Sequence, residues 1–384
     1  MKTRQGLRYV AGLFFAALAA CGANAPEGAP PVKRPQPFIL GADISWVYRD
    51  EGAGAEYFDH GVKMDIFAIL KKYQFNYVRL GVLVDSDQMN FDAGFNLAQL
   101  KVFSKRVKDA KMGLLLDFML GDTWTSPEGQ PKPVSWAKRP FPELAKAIHD
   151  HVKGVLLALK AQGTTPDMVQ IGNEITFGLL WPDGRITSKV STGNPDTDAH
   201  NANVTDAGGW GNLGQLLKTG IAAVKEVDPN IKIMLHHSLG RQDVLVREWL
   251  DKLAEQGVVF DIVGLSCYKQ HADGDWKTTF DDIAKNYPRL GFIAVEYSEQ
   301  KRFINDLVFN TAGNKGLGTF IWEPTRSQEA IFTHRPPANA ARVAAAIPAA
   351  GTAPATQPDA NGGRYDTNSL IDLYPVMAKD YGHP

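Results

Sequence analysis

The most constraining feature of this chain is an alternation. Eight short apolar runs rich in β-branched residues recur along it, at residues 38–44, 76–84, 113–118, 168–172, 231–235, 258–266, 291–295 and 316–321. Between them the apolar residues fall at helical spacing, as in Met64-Phe67-Ala68-Leu70, Leu97-Leu100-Phe103-Val107, Leu144-Ile148-Val152-Val155-Leu159 and Leu213-Leu216-Leu217-Ile221-Val224. Runs that are apolar throughout, rather than at every second position, belong to strands buried on both faces. Eight such strands joined by helical crossovers fit a closed parallel barrel better than an open sheet. The expected fold is therefore α/β, a (β/α)8 TIM barrel forming a single catalytic domain over residues 38–384. Two segments exceed normal connections, 183–209 and 334–363, and each follows a predicted strand. Insertions there sit on the face where such barrels carry their chemistry and are expected to shape a cleft. The second, dominated by Ala and Pro, reads equally well as disordered.

The first twenty residues carry Lys2, Arg4 and Arg8, no acidic residue, and an apolar run from Val10 to Ala20 too short for a permanent membrane helix. That is the form of a secretory signal. It ends in Leu18-Ala19-Ala20-Cys21, which looks like a bacterial lipobox, so residues 1–20 are read as a signal peptide and Cys21 as the lipidated first residue of the mature chain. Cleavage after Ala25 is the competing reading, disfavoured by Pro26. Residues 21–37, rich in Pro, Ala and Gly, read as a solvated tether between lipid and domain. The protein is expected to be exported and membrane-anchored, in the periplasm or at the cell surface, or otherwise secreted. Cys267 is then the one remaining cysteine, which leaves no internal disulfide. A formal net charge of −1 supplies no basic field for a polyphosphate backbone, so no nucleic-acid partner is expected.

Active sites in this fold gather at the C-terminal ends of the strands. The fourth run ends Ile171-Gly172-Asn173-Glu174 and the seventh ends Ala294-Val295-Glu296-Tyr297. Two carboxylates facing one another across a barrel mouth are what glycosidic cleavage requires, one protonating the departing oxygen and the other attacking the anomeric carbon or activating water. Flat rings at the same rim suit the C–H face of a pyranose. Trp124, Trp181, Trp276 and Trp322 fall in or near post-strand loops, whereas Trp136, Trp210 and Trp249 read as packing residues.

With these residues in place the chain resembles the glycoside hydrolase family 53 endo-β-1,4-galactanases, within a large clan of retaining barrel glycosidases. The resemblance covers most of Gly41 to Pro324. It rests on Gly41-Ala42-Asp43-Ile44-Ser45, Asn76-Tyr77-Val78-Arg79-Leu80, Leu115-Leu116-Asp117-Phe118 through Asp122-Thr123-Trp124 to Pro133-Val134-Ser135-Trp136, Gln170-Ile171-Gly172-Asn173-Glu174, Gly178-Leu179-Leu180-Trp181-Pro182 and Trp322-Glu323-Pro324. It implies that Glu174 is the acid/base and Glu296 the nucleophile of a double displacement on β-1,4-galactan or arabinogalactan. Arg79 is then expected beside Glu296, Tyr268 as a phenol donor to it, and Asn173 on the sugar 2-hydroxyl. Asp43, Asp122, Trp124, Trp181 and Trp322 are expected in substrate binding, with Trp322 as the platform under the sugar. His236 is expected either to touch sugar or to be a satisfied histidine of the barrel mouth.

The chain departs from the family pattern at three places. The second run continues Arg79-Leu80-Gly81-Val82-Leu83 where family members usually carry a second arginine and a tryptophan, Met119 stands where they tend to have a histidine, and Ser266-Cys267-Tyr268-Lys269 lacks their second aromatic and proline. These differences touch recognition and leave both glutamates intact, so a glycosidase of the same clan acting on another polysaccharide is the nearest alternative. A silent glycan-binding lipoprotein is the alternative from another class, and it has no need of the glutamate pair. Hydrolysis by two carboxylates calls for no cofactor. No metal is expected, since Thr325–His334 offers mainly Glu329, and Asp196, Asp198, Asn201, Asn203 and Asp206 lack the glycine and terminal glutamate of an EF-hand loop. A monomer is expected, with a polysaccharide or oligosaccharide and the membrane lipid as its only partners.

Overall fold

The computed structural model describes residues 34–86, 95–269, 274–336 and 362–383. The leader, Cys21, most of the tether and residues 337–361 of the second insertion lie outside the described residues. Internal packing divides the chain at Gln36, and the unit Pro37–Pro384 holds the barrel. Its eight barrel strands are β1 (Ile39–Asp43), β4 (Tyr77–Val82), β5 (Gly113–Phe118), β6 (Met168–Ile171), β9 (Lys232–His237), β10 (Ile262–Ser266), β11 (Gly291–Tyr297) and β12 (Gly316–Trp322). They close in sequence order, every neighbour parallel, with β12 returning to β1. The fold is the expected (β/α)8 barrel.

Each strand is buried on two sides. Ile39, Leu115, Met168, Met234, Ile262, Ile293, Val295 and Phe320 fill the barrel's interior, while the alternate residues face the helices and join the main core. The helices are α1 (Val47–Gly52), α2 (Ile66–Lys72), α3 (Leu97–Asp109), α4 (Phe141–Ala161), α5 (Pro195–Ala202), α6 (Gly209–Val227), α7 (Asp243–Glu255), α8 (Trp276–Asn286), α9 (Lys301–Phe309) and α10 (Leu373–Asp380). Several begin where a side chain replaces the missing backbone acceptor. Asp65 caps α2 through Phe67 N, Asn96 caps α3 through Gln99 N and Asp275 caps α8 through Thr278 N. The cap at Asp65 is why the helix read from Met64 begins at Ile66.

Two small sheets carry no signal in the apolar pattern. β2 (Ala55–Asp59), β3 (Val62–Lys63), β13 (Phe332–Arg335) and β14 (Gly363–Thr367) form a sheet in the order β13-β14-β2-β3, which joins the loop after the first barrel strand to the segment after the last. β7 (Gly178–Leu179) and β8 (Gly184–Arg185) form a hairpin just after Glu174. A Cβ at Gly178 would stand 1.9 Å from Gly184 O, so this turn admits only glycine. Among the described residues no helix is long and apolar enough to cross a membrane.

Candidate active site

The polar residues of the barrel mouth are organised around one buried cation. Arg79, on β4, is fully buried. Its Nη1 donates to Asp43 at the end of β1 and to Glu296 Oε1 at 2.7 Å. Nη2 donates to Asp117 Oδ2 at 2.9 Å and to Asn173 Oδ1 at 2.7 Å. A guanidinium out of water is costly unless its hydrogen bonds and charge are met; here three carboxylates and Asn173 take the four Nη bonds, while Nε has no partner among the described residues. One cation does not neutralise three anions. Burial, with Asp43 and Glu296 nearby, lifts Asp117 to about 7 against the pull of Arg79.

Glu296 reaches this cluster through an irregularity. Ile293 and Val295 face the barrel interior, so strict alternation would turn the next side chain outward. The β10–β11 register instead jumps from Leu265↔Ala294 to Ser266↔Glu296, and the β11–β12 register jumps from Ala294↔Thr319 to Tyr297↔Ile321. This bulge faces Glu296 inward directly after Val295 and sends Tyr297 out to Tyr374 of α10, hydroxyl to hydroxyl at 2.8 Å. Tyr268 donates its phenol to Glu296 Oε2 at 3.1 Å. Burial raises the Glu296 carboxyl above its usual range, while Arg79 and the Tyr268 hydrogen bond oppose the rise.

Glu174 has different surroundings. It follows β6 in a turn where Gly172 has φ 81° and Glu174 itself φ 49°, a left-handed conformation a non-glycine residue holds only when its neighbours impose it. Gln130 Nε2 donates to Asn173 O at 2.7 Å, and the Asn173 amide donates to Thr125 O at 2.7 Å, pinning the turn. The Glu174 carboxyl accepts a hydrogen bond from Ser266 Oγ at 2.7 Å and makes no ion pair among the described residues. Burial, then repulsion from Glu296, holds it well above the ordinary carboxylate range.

Both glutamates line one cavity of about 680 Å³ together with Trp124, Tyr268 and Trp322. Trp322 meets Trp124 and Tyr268 edge to face, with ring centroids 6.5 and 6.4 Å away. Its indole Nε1 has no hydrogen-bond partner among the described residues. Thr192, Asn194, Thr197 and Asn201 of the 183–209 insertion form part of the wall. Asp198 ties that insertion together, accepting from Thr192 N at 2.8 Å and Ser191 Oγ at 2.6 Å. Among the described residues no three His, Cys, Asp or Glu side chains converge as metal ligands.

Several residues expected in substrate binding have protein partners in this structure. Asp43, Arg79, Asn173 and His236 are fully buried behind the cavity and bond to protein groups, so they hold the residues that line it. Asp122 is spent on the backbone, Oδ1 accepting from Asp85 N at 3.1 Å and Oδ2 from Val134 N at 2.8 Å. Trp181 lies off the cavity, its indole N–H donating to Phe177 O and its face covered by the Arg185 guanidinium 4.0 Å away. Trp276, at the start of α8, is buried beneath Arg241. Gln130, Gln170 and Ser266 were not anticipated. Ser266, like Asp117, is a polar residue inside or closing an apolar run, the same signal that picked out the glutamates.

The chain matches the model of glycosyl hydrolase family 53 over residues 39–299, more than half its length. The chain belongs to this family. An arabinogalactan endo-β-1,4-galactanase of Cellvibrio japonicus is 31% identical over 328 residues, covering 75% of this chain and 80% of the relative. The family 53 catalytic domain of Ignisphaera aggregans superposes with a TM-score of 0.63 at 29% identity, covering 75% of this chain and 85% of that one. A fungal β-1,4-galactanase structure, at 24% identity, shares the fold with a TM-score of 0.67 over 88% of this chain and 99% of its own. This family 53 member is a glycosyl hydrolase. A Cβ at Gly81 would stand 3.1 Å from Met119 Cε, so the small residue on β4 and the long one after β5 fit each other.

Proposed function

We propose that this protein is an endo-acting, retaining β-1,4-galactanase, exported and tethered to a membrane through lipid on Cys21. The observation that carries the catalytic reading is the contrast between two glutamates lining one cavity, Glu296 paired with a guanidinium and Glu174 with no ion pair among the described residues. In the first step Glu296, ionised, attacks the anomeric carbon. Glu174, protonated, gives its proton to the departing glycosidic oxygen. In the second, Glu174 takes a proton from water as the water oxygen displaces Glu296, restoring both side chains. Arg79 and Tyr268 hold Glu296 in position and favour its charge, while Trp322 and Trp124 pack on the sugar face. The endo-galactanase reading is supported by the relative from Cellvibrio japonicus, which carries that name. The export reading is supported by the basic start, apolar run and Leu-Ala-Ala-Cys ending of residues 1–21.

The test is to incubate the protein with β-1,4-galactan, arabinogalactan, mannan, xylan and β-glucans and to size the products. Oligosaccharides from β-1,4-galactan are expected. Release from a different glycan alone would replace the substrate and keep the mechanism. Binding without release from any would overturn both. Growth of the expressing cell on labelled palmitate is expected to label the wild type and not Cys21→Ala.

A further inference from the structure

Behind Glu174 lies a second hydrogen-bond chain that the mechanism above leaves unused. Ser266, closing β10, has its Oγ 2.7 Å from Glu174 Oε1 and 2.8 Å from His236 Nε2. The opposite ring nitrogen, Nδ1, faces the backbone N–H of Glu174 at 3.3 Å and Gln170 Nε2 at 3.3 Å. Gln170 Nε2 also reaches Gly172 O at 3.1 Å, which fixes that amide as a donor. Asn173 Oδ1, 3.1 Å from Nδ1, also accepts from Arg79 at 2.7 Å and has a second lone pair, so the tautomer is decided by the Glu174 backbone N–H, which can only donate and has Nδ1 as its acceptor among the described residues. Two donors pointing at Nδ1 leave the proton of the neutral imidazole on Nε2. His236 is kept neutral by burial, with Arg79 and His237 acting in the same direction.

The rest follows by elimination. Nε2–H donates to Ser266 Oγ, so the serine hydrogen is free for Glu174 Oε1. A proton on Oε1 would instead leave the serine hydrogen buried with no acceptor, at a cost of about 1–3 kcal/mol for such an orphan. Glu174 Oε2 takes no hydrogen bond among the described residues, and Glu174 lines the cavity. We propose that Ser266, set by His236, is a positioning residue that holds Glu174 through Oε1 and so assigns the transferable proton to Oε2, on the cavity side. The proposal rests on Glu174 being the acid/base. A serine donating to the carboxylate also works against the forces that raise Glu174, so the hydroxyl should set the alkaline edge of activity. Among the described residues, the charged and titratable groups facing Glu174 are Glu296, Glu128, Arg79, Tyr268 and His236.

The experiment compares wild type, Ser266→Ala, Ser266→Cys and Glu174→Ala on aryl β-glycosides, built on the disaccharide the enzyme releases fastest, whose leaving groups range from good to poor. For Ser266→Ala, kcat/KM should fall at least about tenfold with the poorest leaving group and little with 2,4-dinitrophenolate, since acid catalysis as a whole is worth 10²–10⁴. Its alkaline limb should move up by roughly half a unit or more, because a lost donor to the carboxylate raises the carboxyl. Ser266→Cys, a weaker donor of similar size, should restore part of both and covers the case in which the alanine variant fails to fold. An unmoved limb in a folded variant, or a loss uniform across leaving groups, would overturn the proposal. Uniform loss in Glu174→Ala as well would overturn the acid/base reading itself, so the two failures are distinguishable.

Discussion

Ser266 and Glu296 are partners in the β10–β11 ladder, yet the serine hydroxyl serves Glu174, after β6, while Glu296 turns to Arg79. One ladder position thus supports both carboxyls, and their unlike partners are what set them apart chemically. Variants that touch one side should therefore be readable separately from variants that touch the other.

Glu296→Ala should abolish turnover on every substrate while keeping the circular dichroism spectrum of the folded barrel. Glu174→Ala should lose about 10²–10⁴ in kcat/KM on polysaccharide and keep most of its rate on glycosides with leaving groups that need no proton. Appreciable hydrolysis by the Glu296 variant would remove the nucleophile assignment.

The dependence of kcat/KM on pH should be bell-shaped, with Glu296 setting the acid limb and Glu174 the alkaline one. Because burial and Glu296 both raise Glu174, the alkaline limb should lie well above the ordinary carboxyl range. A profile flat above pH 5 would contradict this order of ionisation.

Stability carries the same signature with a fixed sign. A carboxyl raised on folding contributes fully below its unfolded value, about 4.3 for glutamate, and that contribution is lost as pH rises through the folded value. Glu174→Gln should therefore match wild type in acid and become the more stable protein as pH rises. Each kcal/mol recovered is worth roughly 2–4 °C in a domain somewhat smaller than this one. Melting curves of both proteins from pH 4 to 9 check this, and parallel curves would refute it.

Lys301 is buried at the start of α9 and donates to Ser298 O at 2.8 Å, to Glu329 O at 2.5 Å and to Glu329 Oε2 at 3.2 Å. It ties the loop after β11 to the loop after β12, and both loops supply cavity residues, Ser298 and Gln328. Lys301→Met orphans two carbonyls and should cost about 1–3 kcal/mol in urea unfolding. KM should rise more than kcat falls.

Asp122→Ala should behave as a loop mutant. Two backbone amides lose their acceptor, so unfolding should be easier by about 1–3 kcal/mol, with Asp122→Asn keeping part of that. Product pattern and substrate preference should not change. A switch in preferred glycan would return Asp122 to the sugar.

The barrel was legible because its strands are buried on both faces and write themselves as largely apolar runs, as at Leu114-Leu115-Leu116. Glu174 and Glu296 were legible because a charge closing such a run has few structural reasons to be there. What failed to show had nonlocal causes. The bulge at Glu296 is a register relation with β10 and β12, visible only once three strands are in place. Asp122 and Trp181 sit in the right loops, but whether a side chain in a loop faces cavity or backbone depends on turns such as the Gly178–Gly184 hairpin. The β13-β14-β2-β3 sheet joins short polar segments from the two ends of the chain, each too short to announce itself as a strand.

That same meeting of the ends bears on synthesis. β1 finds one of its two neighbours only in β12, and Trp46 N reaches its acceptor, Glu323 Oε1, 277 positions later. Until the ribosome has delivered those late residues the ring has a gap, and β1 and β11 each present a bare edge able to pair with a neighbouring chain. A chain cut short before β12 should therefore be left with an open sheet whose two free edges invite pairing with a neighbour.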